Sequence, residues 1–272
     1  MESVTERAKT VIKTKIMSAI DFLKLSDFEK IQFEDGIELN PQENVDPSII
    51  GRTVDYVSRW YMLGAKGLGK AFHYPFRGLA VAAIHSGHRE EFAHEFLESF
   101  GKDMKKGFQD DSSIGALCRL ASFDVWDRNI FQAIAYHNLD KINPDSATCS
   151  NIRTLLKRTI KFYKMDTVKF DEEYLKGGFT DVVGAGDFDF LTSDTLFDLK
   201  IAVASTMKSS AKKYILQILM YWIIGQHSGN KIFKNITKIG IFNPRSNTAY
   251  VLDMSKVSPD IIRFVEDYVI CY

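Results

Sequence analysis

The chain changes its hydrophobic rhythm past the middle. From Thr5 to about Lys164 apolar residues recur at helical spacing, as in Val11, Ile12, Ile16, Ile20, Phe22 and Leu23, and again in Phe92, Phe96 and Phe100. Such spacing lays an apolar stripe along one side of a helix, so this half is expected to be mainly helical. Asp46-Pro47 reads as an N-cap followed by a first-turn proline, a position where the missing N–H costs nothing. It opens a helix over 47–63, which Gly64, Gly67 and Gly69 should end. Further helices are expected over 88–106, 114–120, 127–138 and 147–164.

Beyond Phe170 the period falls to two. Strands are expected at 180–183, 187–191 and 195–203, the last two joined by a tight turn at Thr192-Ser193-Asp194. A helix over 210–224 should close at Gly225. A hairpin follows, with strands at 238–242 and 248–252 around Asn243-Pro244-Arg245-Ser246-Asn247, and a last helix covers 259–268. This order makes an α/β fold: a mixed central sheet with helices packed on it. The division expected is a mainly helical region over 1–164 and an α/β region over 165–272.

Composition narrows the class without naming a partner. The 272 residues are enough to bury a sizeable core, and 45% hydrophobic content with only 6 prolines excludes a disordered chain. Lys plus Arg and Asp plus Glu both total 35, so a generally basic, nucleic-acid-coating surface is excluded. Cys118, Cys149 and Cys271 lie far apart with no CxxC pair, which argues against a disulfide framework or a zinc site. A reducing compartment, the cytoplasm, is the expectation. The most apolar stretch, 214–225, is shorter than the ~20 residues that cross a bilayer, so no membrane association is expected.

Candidate chemistry gathers in the second half. Alternation puts Asp187 and Asp189 on one face of their strand, with Phe188 and Phe190 on the other. In the next strand Asp198 and Lys200 share a face, opposite Phe197, Leu199 and Ile201. Pairing through the turn would bring Asp189 beside Asp198, with Lys200 close by. Carboxylates held that close share a proton, pair with a cation or bind a metal. Oxygen ligands suit Mg²⁺, with Mn²⁺ able to substitute, rather than zinc. The alternative is a solvated strand face carrying a surface salt bridge.

Gly186-Asp187-Phe188-Asp189, then Phe197-Asp198-Leu199-Lys200, then Gln217 and Tyr221 on a helix resemble the G-x-x-D, D/E-x-K and Q-x-x-x-Y pattern of the RecB-like branch of the PD-(D/E)XK nuclease superfamily. The resemblance implies a restriction-endonuclease-like αβββαβ core over 165–272, with the helical region covering the active site and supplying a core helix from about 47–63. It implies Asp189 and Asp198 as metal ligands and Lys200 as the catalytic lysine, with Gln217 and Tyr221 supporting the site or the nucleic acid. The activity implied is Mg²⁺-dependent hydrolysis of phosphodiester bonds, in DNA ahead of RNA, in defence or DNA processing. Protein partners or a homo-oligomer remain open. A nuclease fold kept as an inactive binding or docking module is the rival reading.

Family members often carry a further ligand on an upstream helix. Gly51-Arg52-Thr53-Val54-Asp55 offers Asp55 for that role, weighed equally against an i,i+4 salt bridge to Arg59, with Glu95, Glu98 and Asp124 behind it. From Leu199 to Leu252 there is no acidic residue, while Lys208, Lys212, Lys213 and Lys231 fall there as candidate nucleic-acid contacts. Nine acids crowd Asp166–Asp198 just before it. The run from Gly64 to Lys70 lacks the spacing of a phosphate loop and reads as a helix-ending loop, and His85, His88 and His94 read as surface residues.

Overall fold

A capping box starts the first helix. In the computed structural model, which describes every residue except Lys15, His88 and Glu172, the Ser3 hydroxyl accepts from the Glu6 amide at 3.2 Å while the Glu6 carboxylate accepts from the Ser3 amide at 3.0 Å. Two of the free N–H groups at the helix start are thereby satisfied. Strand β1 (Glu2–Ser3) thus leads into α1 (Val4–Lys13), and β2 (Glu29–Gln32) follows.

The helical part comes next. Helix α2 (Pro47–Leu63) starts where Asp46 accepts from the Ser48 amide, and its neighbours are α3 (Leu68–Ala71), α4 (His73–His85), α5 (Arg89–Met104), α6 (Asp111–Ser122), α7 (Asp124–Arg128), α8 (Ile130–Tyr136) and α9 (Ser146–Tyr163). The loop expected over 64–70 is wound into short helical turns over 65–67 and 68–71, α4 has no counterpart among the expected elements, and the helix expected over 127–138 breaks at Asn129. Asn129 caps the second piece by accepting from the Gln132 amide. His88 lies outside the described residues.

The third part carries β3 (Lys169–Phe170), β4 (Val183–Ala185), β5 (Phe190–Leu191), β6 (Thr195–Leu199), α10 (Ala204–Ser209), α11 (Ala211–His227), β7 (Lys238–Asn243), β8 (Thr248–Asp253) and α12 (Pro259–Phe264). A six-stranded mixed sheet runs β2-β8-β7-β6-β5-β3, and β1 pairs with β4 in a separate parallel pair. Strand β7 lies parallel to β6, with α11 in the crossover, and antiparallel to β8. The strand expected at 180–183 forms instead at 183–185, and those expected at 187–191 and 195–203 shorten to 190–191 and 195–199. Gly225 does not end α11: it lies inside the helix, where a Cβ would fall 2.2 Å from the Phe233 ring.

Two compact units divide the chain, residues 36–163 and residues 1–35 together with 164–272. The break near 164 is where the change of rhythm puts it. The first 35 residues, however, belong with the α/β part. Helix α2 lies in the helical unit. Helix α1 packs on α11, and its Val4, Ala8 and Val11 join Leu196, Ile239, Ile241 and the apolar length of α11 in one core.

Candidate active site

The β5–β6 hairpin positions two carboxylates. Its turn closes with the Thr192 amide donating to the Thr195 carbonyl at 2.9 Å, which sets Phe190 opposite Phe197 and Leu191 opposite Leu196. The Phe190 and Phe197 rings stack at 5.1 Å on one face. One step outward, Asp189 falls beside Asp198. Its carboxylate accepts from the Leu199 amide at 2.6 Å, and its charge acts on the Asp198 carboxyl.

Asp198 is 2% exposed, and the Lys200 ammonium stands 2.5 Å from its Oδ2. The contact lacks the angles of a directed hydrogen bond, so Oδ2 is a buried acceptor still without one. Burial, opposed by Lys200 and reinforced by Asp189, pushes the Asp198 carboxyl up to about 7. Burial also works against the Lys200 ammonium, but Asp198 and Asp189 overcome it and hold the lysine protonated beyond its ordinary range. Two carboxylates, one proton and one ammonium make a buried centre close to neutral.

Helix α11 supports this centre from above the sheet. Gln217 and Tyr221, four apart, share a face, and the Gln217 amide donates to the Tyr221 hydroxyl at 3.2 Å and to the Thr5 hydroxyl of α1 at 2.9 Å. Tyr221 is 3% exposed and part of the core. Burial and then the Asp198 charge raise its phenol above the usual range. Gly186 explains the glycine that precedes the aspartates: a Cβ there would meet Val4 Cγ2 at 2.7 Å and Tyr221 Cε1 at 3.0 Å. Thr5 was not among the residues singled out from the sequence. The Ser3-x-x-Glu6 capping signature marks where its helix starts, but nothing in a single sequence says that this helix faces Gln217.

The remaining candidates separate. Asp55 sits in the helical unit and pairs with Arg59 at 2.7 Å, the i,i+4 alternative. Asp124 is buried between Tyr56, Arg128 and Arg52, and Glu98 pairs with Lys102. Among the described residues no group of three His, Cys, Asp or Glu side chains gathers to hold a metal. Three of the acids between Asp166 and Asp198 are held locally. Asp166 accepts from Ser193, Asp171 from the Tyr174 and Phe188 amides, and Asp194 pairs with Lys238. Glu172 lies outside the described residues.

Lys208 and Lys212 line a cavity of about 630 Å³ with Met17, Lys24, Met207 and Tyr250, and Lys212 donates to the Met17 carbonyl at 3.3 Å. Lys213 stands over the Tyr214 ring, 4.7 Å from its centre. Lys231 follows the far end of the 17-residue α11, about 25 Å along the helix from Lys212 and Lys213 at its start. The four lysines therefore do not form one patch.

Comparison leaves the reading to this geometry. No family model, no curated protein and no solved structure matches the chain. No helix among the described residues is long and apolar enough to cross a membrane.

Proposed function

We propose that the chain is a metal-dependent nuclease that hydrolyses phosphodiester bonds, DNA ahead of RNA, on a restriction-endonuclease-like core. The observation that carries this reading is the convergence of Asp189, Asp198 and Lys200 at the open end of one hairpin. Support for the core comes from the order of its parts: α1 against α11, the β5–β6 hairpin, and β7 returning parallel to β6.

The donors fit a hard divalent cation. Asp189 and Asp198 offer oxygens only, one of them a buried acceptor with no directed hydrogen bond. Mg²⁺ is commonly held by one or two carboxylates, with water and substrate phosphate completing its shell, so a third protein ligand is not required. Such an ion would supply positive charge against the phosphoryl oxygens. Lys200, on the more open side of Asp198, orients the attacking water and offsets the charge that builds on the phosphate. Gln217 and Tyr221 keep the wall behind the carboxylates fixed.

The test is cleavage of plasmid DNA, single-stranded DNA and RNA in Mg²⁺, Mn²⁺ or EDTA. Cleavage in Mg²⁺ or Mn²⁺, none in EDTA, and a loss of about 10²–10³-fold in Lys200→Ala are expected. Binding without cleavage under every condition would replace the enzyme by a nuclease-fold docking module. Undiminished cleavage by Lys200→Ala would reject the mechanism.

A further inference from the structure

The seam between α1 and α11 continues outward from the proposed active site. Thr5 meets Gln217, and one turn further along each helix, in opposite directions, stand Lys9 and Lys213. Lys212 at the start of α11 also donates to the Met17 carbonyl just past the end of α1, so the two helices run antiparallel. Along α11 the polar groups pass from buried Tyr221, through Gln217 at 7% exposure, to half-buried Lys213. Across from Lys213, Lys9 is exposed.

At that outer end like charges meet. The Lys200 and Lys213 ammoniums approach the same Tyr214 ring, at 5.3 and 4.7 Å from its centre. Burial depresses Lys213 below its ordinary value, and the positive charges of Lys200 and then Lys9 depress it further, with Asp198 opposing them least. The nearest acid on α1, Glu6, closes the Ser3 cap and also feels the Lys9 charge, while no acid acts on Lys213 as strongly as these lysines do. Lysines facing one another across a helix seam are unfavourable in the free protein, and an anion between them reverses the sign.

We propose that Lys9 and Lys213 form a phosphate clamp at the mouth of the site, taking a phosphate of the nucleic-acid strand next to the one being cut. The clamp rests on the nuclease reading for its substrate. Its test is binding in EDTA, which does not depend on cleavage.

The affinity of the full chain for a fluorescent single-stranded oligonucleotide is measured across a KCl series. The Lys9→Ala, Lys213→Ala double variant should bind more weakly, with the slope of log affinity against log salt flatter by about 0.7 to 1.4, one or two single-strand phosphate contacts. Lys213→Arg should keep wild-type binding. Lys213→Met should weaken binding yet raise the melting temperature of the strand-free protein, because it removes a desolvated cation from among its like. Unchanged affinity and slope in the double variant, a wild type that binds no strand at low salt, or a lower melting temperature in Lys213→Met would each overturn the clamp. A protein that binds through these lysines but never cuts would instead sink the nuclease reading and leave the clamp standing.

Discussion

Asp198 and Lys200 set the chemistry of the centre. With the Asp198 carboxyl raised to about 7, the folded chain keeps a proton that the unfolded chain has already lost above the ordinary aspartate value. Stability from this group therefore falls as pH rises from about 4 to about 7. Asp198→Asn should flatten that slope in a series of thermal melts. On the proposed function, metal uptake must expel the same proton, so a rise in melting temperature with Mn²⁺ should grow from pH 6 to pH 8 and vanish in Asp198→Asn. These residues were legible because period-two alternation and one tight turn fix which side chains meet. Asp55 was legible as one of two alternatives, and the i,i+4 pair with Arg59 read from spacing alone is formed.

At the scale of elements, the hairpins and most of the long helices were readable, whereas the 13-residue α4 and the short pieces were not. Helix α2 runs from Pro47 to Leu63, and β7 and β8 are each one residue longer than the alternation indicates. Asp46→Ala should cost about 1 kcal/mol, the usual loss for an N-cap, measured by urea unfolding. Strand β2 escaped notice because all four of its residues are exposed, leaving no alternation to read. Its place comes from pairing with β8. Gly186 gives a sharper test of the α1–α11 seam. In Gly186→Ala the new methyl would press on Val4 and Tyr221, so cleavage should fall further than the melting temperature would suggest, with the loss in kcat rather than KM.

The whole molecule should answer acid in two ways. In the helical unit the Trp126 indole donates to His137 Nδ1 at 3.0 Å, and burial, then Arg52, lowers His137 to about 4. Its unfolded form takes up a proton that the native form refuses, so this unit loses stability as pH falls from about 6.5 to about 4, while Asp198 moves the sheet unit the other way. Calorimetry between pH 7 and pH 5 should show two transitions drifting in opposite directions. The same division predicts that residues 165–272 alone will not fold, for want of α1 and β2. Residues 1–35 joined to 164–272 by a flexible linker should fold and bind Mn²⁺.

That division also orders events during synthesis. Gln32 and the Thr248 it bonds to are 216 positions apart, so at ~5–20 residues per second the ribosome releases the edge strand roughly 10 to 40 s before its neighbour exists. Over that interval the helical unit can complete itself while the first segment waits, its ladder groups unmatched. Chaperone capture of the nascent chain should concentrate in that window.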